Sequence, residues 1–139
     1  MPYINRHYRT KTGPENTAIG GSSMGGLISL YAILHYNNVF GAGAIFSPAY
    51  WNSAPIDTIK DDILKRDAKL HAKIFLYGGD SEGVSTLPAT LTEFKYLFSK
   101  NPNNLVKLEI LHGGMHRIPY WTEPFAEYVK WMTAKYGIN

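Results

Sequence analysis

Thr17-Ala18-Ile19-Gly20-Gly21-Ser22-Ser23-Met24-Gly25-Gly26-Leu27 is the stretch around which the rest of this sequence is ordered. Thr17 to Gly20 reads as a short apolar strand that stops at glycines. From Met24 to Tyr36, the residues Leu27, Ile28, Leu30, Tyr31, Ile33 and Leu34 recur at helical spacing and cover more than one face, which predicts a largely buried helix. Between the two, the chain turns directly from strand to helix with Ser23 at the apex. Glycines two before and two after it, Gly21 and Gly25, remove Cβ atoms that would collide in such a turn. A serine presented in this way, in a Gly-x-Ser-x-Gly motif, holds its hydroxyl clear of its own backbone and is a nucleophile elbow. The competing reading is a glycine-rich loop cradling a phosphate at a helix start. It lacks both the Walker lysine and the full dinucleotide glycine spacing.

Downstream, short strands and helices alternate. Ala42 to Phe46 is a second apolar strand, closed by a Ser47-Pro48 turn, and Ile56 to Leu70 reads as a surface helix with a thin inward stripe of Ile59, Ile63 and Leu64. Ala72 to Tyr77 is a third strand, ending in Gly78-Gly79. Leu87 to Lys100 is an amphipathic helix with Leu91, Phe94, Leu97 and Phe98 inward, stopped by Asn101-Pro102. Val106 to Leu111 is the fourth strand. A last helix, about Trp121 to Lys135, presents Phe125, Tyr128, Val129 and Met132 on one side. Residues 1 to 15, broken at Gly13-Pro14, read as a short helix or extended arm. The pattern predicts an α/β fold, a mostly parallel sheet of about four strands flanked by helices.

With 139 residues and 45% hydrophobic content, the chain supports one core, so residues 1–139 are read as a single domain. The net charge of +3 comes from scattered basic residues that form no run, which argues against a nucleic-acid partner. Cysteine is absent, so disulfides, thiolate zinc sites and cysteine nucleophiles are excluded. No stretch approaches the ~18 apolar residues of a membrane span, and the start shows no basic-then-apolar leader. A soluble chain with no membrane partner is expected. The compartment stays open, and is cytoplasmic if Met1 is the natural start.

A serine hydroxyl needs a base to take its proton and an acid to orient that base. Three loops at strand ends carry such groups: Gly21 to Gly25, Gly79 to Gly83, and His112 to His116. In open parallel sheets, ligands bind outside the carboxyl ends of the strands, so these loops should meet there. α/β-hydrolases, whose elbow this stretch resembles, run serine, acid, histidine along the chain. That order leaves His112 and His116 as bases. His116 is favoured because it lies deeper in the loop, beyond Gly113-Gly114, whereas His112 sits close to the strand end. Asp80 and Glu82 both qualify as the acid, and spacing does not separate them. The amide of Met24, next to the nucleophile at the helix start, can donate to an oxyanion, a site that needs a second donor as well. Trp51, Tyr120 and Trp121 are candidate pocket walls.

Further stretches carry a resemblance: Pro2-Tyr3-Ile4, Tyr8-Arg9-Thr10, Gly20 through Leu27, Phe46-Ser47-Pro48-Ala49-Tyr50-Trp51, Gly113-Gly114-Met115-His116 and Tyr120-Trp121. Together they resemble the esterase family of α/β-hydrolases that includes enterochelin esterase-like proteins, esterase D and feruloyl esterases. In many relatives the acid is a glutamate three residues after a strand-end glycine. That matches Gly79 and Glu82, and the resemblance therefore implies Glu82. It implies hydrolysis of carboxylic esters through an acyl-serine intermediate, with no metal or organic cofactor.

Members of that family are about twice as long, with four strands and the second oxyanion donor ahead of the elbow strand. This chain is accordingly expected to match the C-terminal half, a truncated α/β-hydrolase fold. Its elbow strand then becomes a sheet edge with unpaired backbone groups, covered by a second copy of the chain, by the N-terminal arm or by a missing segment. The expected function is a serine carboxylesterase acting on short acyl or aryl esters. The alternatives are an esterase for carbohydrate-linked acyl, feruloyl or siderophore esters, and an inactive esterase fragment serving as an interaction module.

Overall fold

The computed structural model describes residues 2–52, 55–66 and 69–133. Its elements are α1 (Pro2–His7), β1 (Ala18–Ser22), α2 (Met24–His35), β2 (Ala42–Phe46), α3 (Ile56–Arg66), β3 (Lys73–Gly79), α4 (Leu87–Phe98), β4 (Leu105–Leu111) and α5 (Pro119–Thr133), with single 3₁₀ turns at Pro14–Asn16 and Tyr50–Asn52. The four strands form one sheet in chain order, β1-β2-β3-β4, and every pairing is parallel. This is the α/β architecture that the alternation predicts. The expected helix over 56–70 ends at Arg66 in the structure, and Asp67 and Ala68 lie outside the described residues, as does Lys135 of the last helix.

Alternation along the strands divides the core in two. On β3, Ile74 and Leu76 face one side, where α2, α3 and α4 supply Leu30, Ile33, Ile63, Leu87, Leu91, Phe94 and Phe98. Phe75 and Tyr77 face the other side, where α5 brings Tyr128 with Trp121, Trp131 and Met132 around it. Placing α2, α3 and α4 on one face follows from successive crossovers of a single hand in a sheet that grows in one direction. Most of these side chains are fully buried, and each such burial stabilises by about 1.5–3 kcal/mol.

Several faces expected to be inward are not. Ile28 is 57% exposed and Tyr31 46%, so α2 buries the face bearing Leu30, Ile33 and Leu34 and leaves another apolar face open. Leu64 of α3 is likewise exposed, and so are Phe125 and Val129 of α5, which seats on the sheet through Trp121, Pro124, Tyr128 and Trp131. Ile28, Tyr31 and Phe125 belong to the two helices that flank β1. That strand is an edge, as expected, and a shallow groove of about 360 Å³ runs beside it between Gly20, Gly21, Ile118 and Phe125. Residues 3–12 are exposed and make no backbone hydrogen bond to this edge among the described residues.

Tyr77 and Tyr128 are buried with hydroxyls that meet no protein partner among the described residues. Burial pushes both phenols up to about 12, helped at Tyr77 by the negative charges of Glu82, Glu109 and Glu123. In the unfolded chain they ionise near 10, so above that pH the unfolded state binds fewer protons than the folded one and stability declines. Denaturant titrations are therefore expected to show a falling free energy of unfolding from pH about 10 toward about 12. Tyr77→Phe should flatten that decline while leaving the neutral-pH stability unchanged or higher. A marked loss at neutral pH would show that the hydroxyl is bonded after all.

Candidate active site

Ser22 ends β1 and Met24 starts α2, so the reversal from strand to helix falls on Ser23 alone. Its backbone is left-handed, with φ 58 and ψ −121. For a non-glycine residue this is strained, and it is held from three sides. The Ser23 amide donates to Phe46 O at 3.0 Å, and the Ser23 carbonyl accepts from Leu27 N and Ala49 N, both at 3.1 Å. Glycine is needed on both sides, though not at both expected positions. A Cβ on Gly21 would lie 2.7–2.9 Å from the Gly25 backbone, and one on Gly26 would lie 2.5 Å from Phe46 O. Gly25 itself has open space at its Cβ position, so the collision assigned to it belongs to Gly26.

At this apex Ser23 Oγ lies 2.8 Å from His116 Nε2, and His116 Nδ1 lies 2.8 Å from Glu82 Oε2. With its proton on Nδ1, the imidazole donates to Glu82 and accepts from the serine hydroxyl. The Glu82 side chain is only 1% exposed and the His116 side chain 26%. An isolated carboxylate at that depth is costly, and Glu82 is satisfied by three donors. Oε2 takes the imidazole, while Oε1 accepts from Gly79 N and from Ser47 Oγ, each at 2.6 Å.

Ser47 is the site residue missed in the sequence. It is fully buried, with φ 44, and accepts from Trp121 Nε1 at 2.9 Å while donating to Glu82. The signal available was a serine closing a fully buried strand at the ligand-binding end of the sheet, and the sequence reading assigned it only to a turn.

Asp80, the other candidate acid, turns away from His116. Its Oδ2 pairs with His112 Nδ1 at 2.7 Å, and its Oδ1 accepts from Gly113 N at 2.7 Å. The bonds from His112, Gly113 and Ser81 hold its carboxyl below the ordinary aspartate value, so it is an anion at neutral pH. Trp51 and Trp121 meet the His116 ring edge-on, with centroids at 5.6 and 5.0 Å. Tyr120, half-buried in the first turn of α5, makes no ring contact with His116 among the described residues. Met24 N–H, the first amide of α2, meets no backbone acceptor among the described residues and directly follows Ser23. A larger cavity, about 470 Å³ between α2 and α3, is lined by none of these groups. No group of three or more carboxylate or imidazole ligands among the described residues is arranged to hold a metal ion, and no described helix is long and apolar enough to cross a membrane.

The family model described as "Putative esterase" matches residues 1–132. The "Uncharacterized protein YbbA" of Bacillus subtilis is 28% identical over 143 residues, covering 97% of this chain and 56% of that protein. Among solved structures, the S-formylglutathione hydrolase FrmB of Staphylococcus aureus superposes with a TM-score of 0.70 at 18% identity, over 96% of this chain and 57% of that one. A ferulic acid esterase from Anaeromyces mucronatus superposes with a TM-score of 0.69 at 23% identity, over 96% and 50%. These likenesses show a shared α/β-hydrolase-like fold. The chain spans about half the length of the proteins it matches.

Two substitution pairs test the local geometry. Gly26→Ala should lower stability by about 1–3 kcal/mol through overpacking, while Gly25→Ala should be neutral or stabilising by up to ~1 kcal/mol, as thermal melts would show. Ser47→Ala, which strips a buried donor from Glu82 and an acceptor from Trp121, should cost about 1–3 kcal/mol. Ser47→Gly should cost less, because glycine adopts this φ without strain.

Proposed function

The chain belongs to the Putative esterase family, and on that footing we propose that it is a serine carboxylesterase hydrolysing short acyl or aryl esters through an acyl-serine intermediate. The observation that carries the reading is the unbroken hydrogen-bond chain Ser23–His116–Glu82, anchored on a buried carboxylate.

In this mechanism Ser23 Oγ attacks the ester carbonyl carbon as its proton passes to His116 Nε2. Glu82 stabilises the imidazolium and fixes the tautomer that leaves Nε2 free to accept. Negative charge collects on the former carbonyl oxygen, beside the Met24 amide, which is one of the two donors such a hole uses. Collapse of the tetrahedral intermediate breaks the ester C–O bond, and His116 returns its proton to the departing alkoxide to give the alcohol. Water then attacks the acyl-serine with His116 again as base, releasing the carboxylic acid and restoring Ser23. No step calls for a metal or an organic cofactor.

Trp51, edge-on to His116 and 38% exposed, favours an aromatic acyl or leaving group over a purely aliphatic one, which keeps feruloyl-type esters within the reading.

Turnover of p-nitrophenyl acetate and labelling by a fluorophosphonate probe test the proposal together. The wild-type chain is expected to hydrolyse the ester and to carry the label on Ser23. Ser23→Ala should do neither, and Glu82→Gln should reduce kcat by about 10⁴ through loss of the correct tautomer. A folded wild-type chain that takes no label would overturn it and favour an inactive interaction module, and hydrolysis that persists in Ser23→Ala would overturn Ser23 as the nucleophile.

A further inference from the structure

The loop that delivers His116 is secured at a second point, remote from the imidazole. β3 and β4 pair through Gly79 and Leu111, and Asp80 extends the ladder by donating its amide to Leu111 O at 3.1 Å. Immediately beyond, the chain turns at Gly113, with φ 72. This turn is closed from outside: Asp80 Oδ1 accepts from Gly113 N, Asp80 Oδ2 pairs with His112 Nδ1, and Ser81 N donates to Gly114 O at 3.0 Å. Gly79 and Gly114 pack backbone on backbone at the same place, where a Cβ on Gly79 would run into the Gly114 carbonyl.

Four residues, Gly79 to Glu82, thus act on the His116 loop twice. Glu82 holds the ring, and Asp80 holds the backbone three residues before it. The two acids cannot exchange duties. Glu82 is buried and meets His116, whereas Asp80 reaches the turn through the fully exposed side chain of His112 and the amide of Gly113, and also accepts from its neighbour Ser81 Oγ at 3.0 Å.

We propose that Asp80 is a positioning residue of the reaction, a latch whose carboxylate fixes the 112–116 turn so that His116 Nε2 stays within reach of Ser23. The proposal rests on the triad reading given above. A base displaced by about 1 Å from its productive position can cost about 10²-fold in rate while substrate binding is untouched. Loss of the latch therefore acts on kcat and on the nucleophilicity of Ser23, with KM nearly constant. A carboxylate that merely tidied a surface turn would leave both unchanged.

The experiment measures rates of fluorophosphonate labelling and p-nitrophenyl acetate hydrolysis for the wild type, Ser23→Ala, Asp80→Ala and Asp80→Asn, with amide exchange at Gly113 and melting temperature read on each. Asp80→Ala is expected to label and turn over about 10- to 100-fold more slowly, with KM within about 2-fold and faster exchange at Gly113. Asp80→Asn, whose amide oxygen can still accept from Gly113 N–H but which loses the anion paired with His112, should recover part of the rate. Wild-type labelling rates in Asp80→Ala would overturn the latch while leaving the triad reading intact. A wild-type chain that is not labelled would overturn the triad reading, and the latch with it. Should Asp80→Ala fail to fold, His112→Ala, altered at a fully exposed side chain, decides the matter: slower labelling supports the latch and an unchanged rate overturns it.

Discussion

A carboxylate taken almost wholly out of water must find compensation for several kcal/mol of lost hydration, and Glu82 is in that position. Its three donors come from three separate parts of the chain: Ser47 beyond β2, Gly79 at the end of β3 and His116 beyond β4. None of the three can serve unless the strands pair in their observed register, with Phe46 opposite Tyr77 and Gly79 opposite Leu111. The elbow joins the same system because the Ser23 amide bonds to Phe46 O, one residue before Ser47. Burial of this one charge thereby couples sheet register, elbow strain and imidazole orientation. A slip in any of them would strand an anion in the interior.

Much of this arrangement is legible in the sequence. The apolar strand start and the run from Leu27 to Leu34 bracket the elbow, although β1 does not stop at its glycines as expected but runs through Gly20-Gly21 to Ser22, and the glycine pairs that end β3 and follow β4 mark the loops that meet it. The choice between Asp80 and Glu82 is not legible from spacing, because both follow Gly79 closely. What separates them is depth: one side chain is buried beneath the imidazole and the other reaches outward to Gly113. Ser47 escaped notice because its role lies in a left-handed backbone and in a tryptophan 74 residues away, neither of which has a local signature. The faces of α2 and α5 were misread for a different reason. Hydrophobic periodicity reports which residues are apolar, and Ile28, Tyr31 and Phe125 are apolar without being covered here.

Those uncovered residues stand on the two helices that flank β1, whose outer backbone edge is also open. The chain spans 56% of its Bacillus subtilis relative, and the likenesses to solved hydrolases cover similar portions. The geometry at the edge bears directly on the site, since β1 runs straight into Ser23. A parallel strand laid against β1 would run toward the turn at Ser23, next to the Met24 amide that meets no backbone acceptor among the described residues.

The sheet order repeats the chain order, and Ser23 and His116 are 93 residues apart. Each strand pairs with the one made before it, so the sheet can grow as the polypeptide leaves the ribosome, with the β3–β4 pairing added last. The turn at Ser23 can close as soon as β2 presents Phe46 O, long before residue 116 is made. A nascent chain therefore makes the strained turn at Ser23 well before it makes the imidazole that bonds the Ser23 hydroxyl.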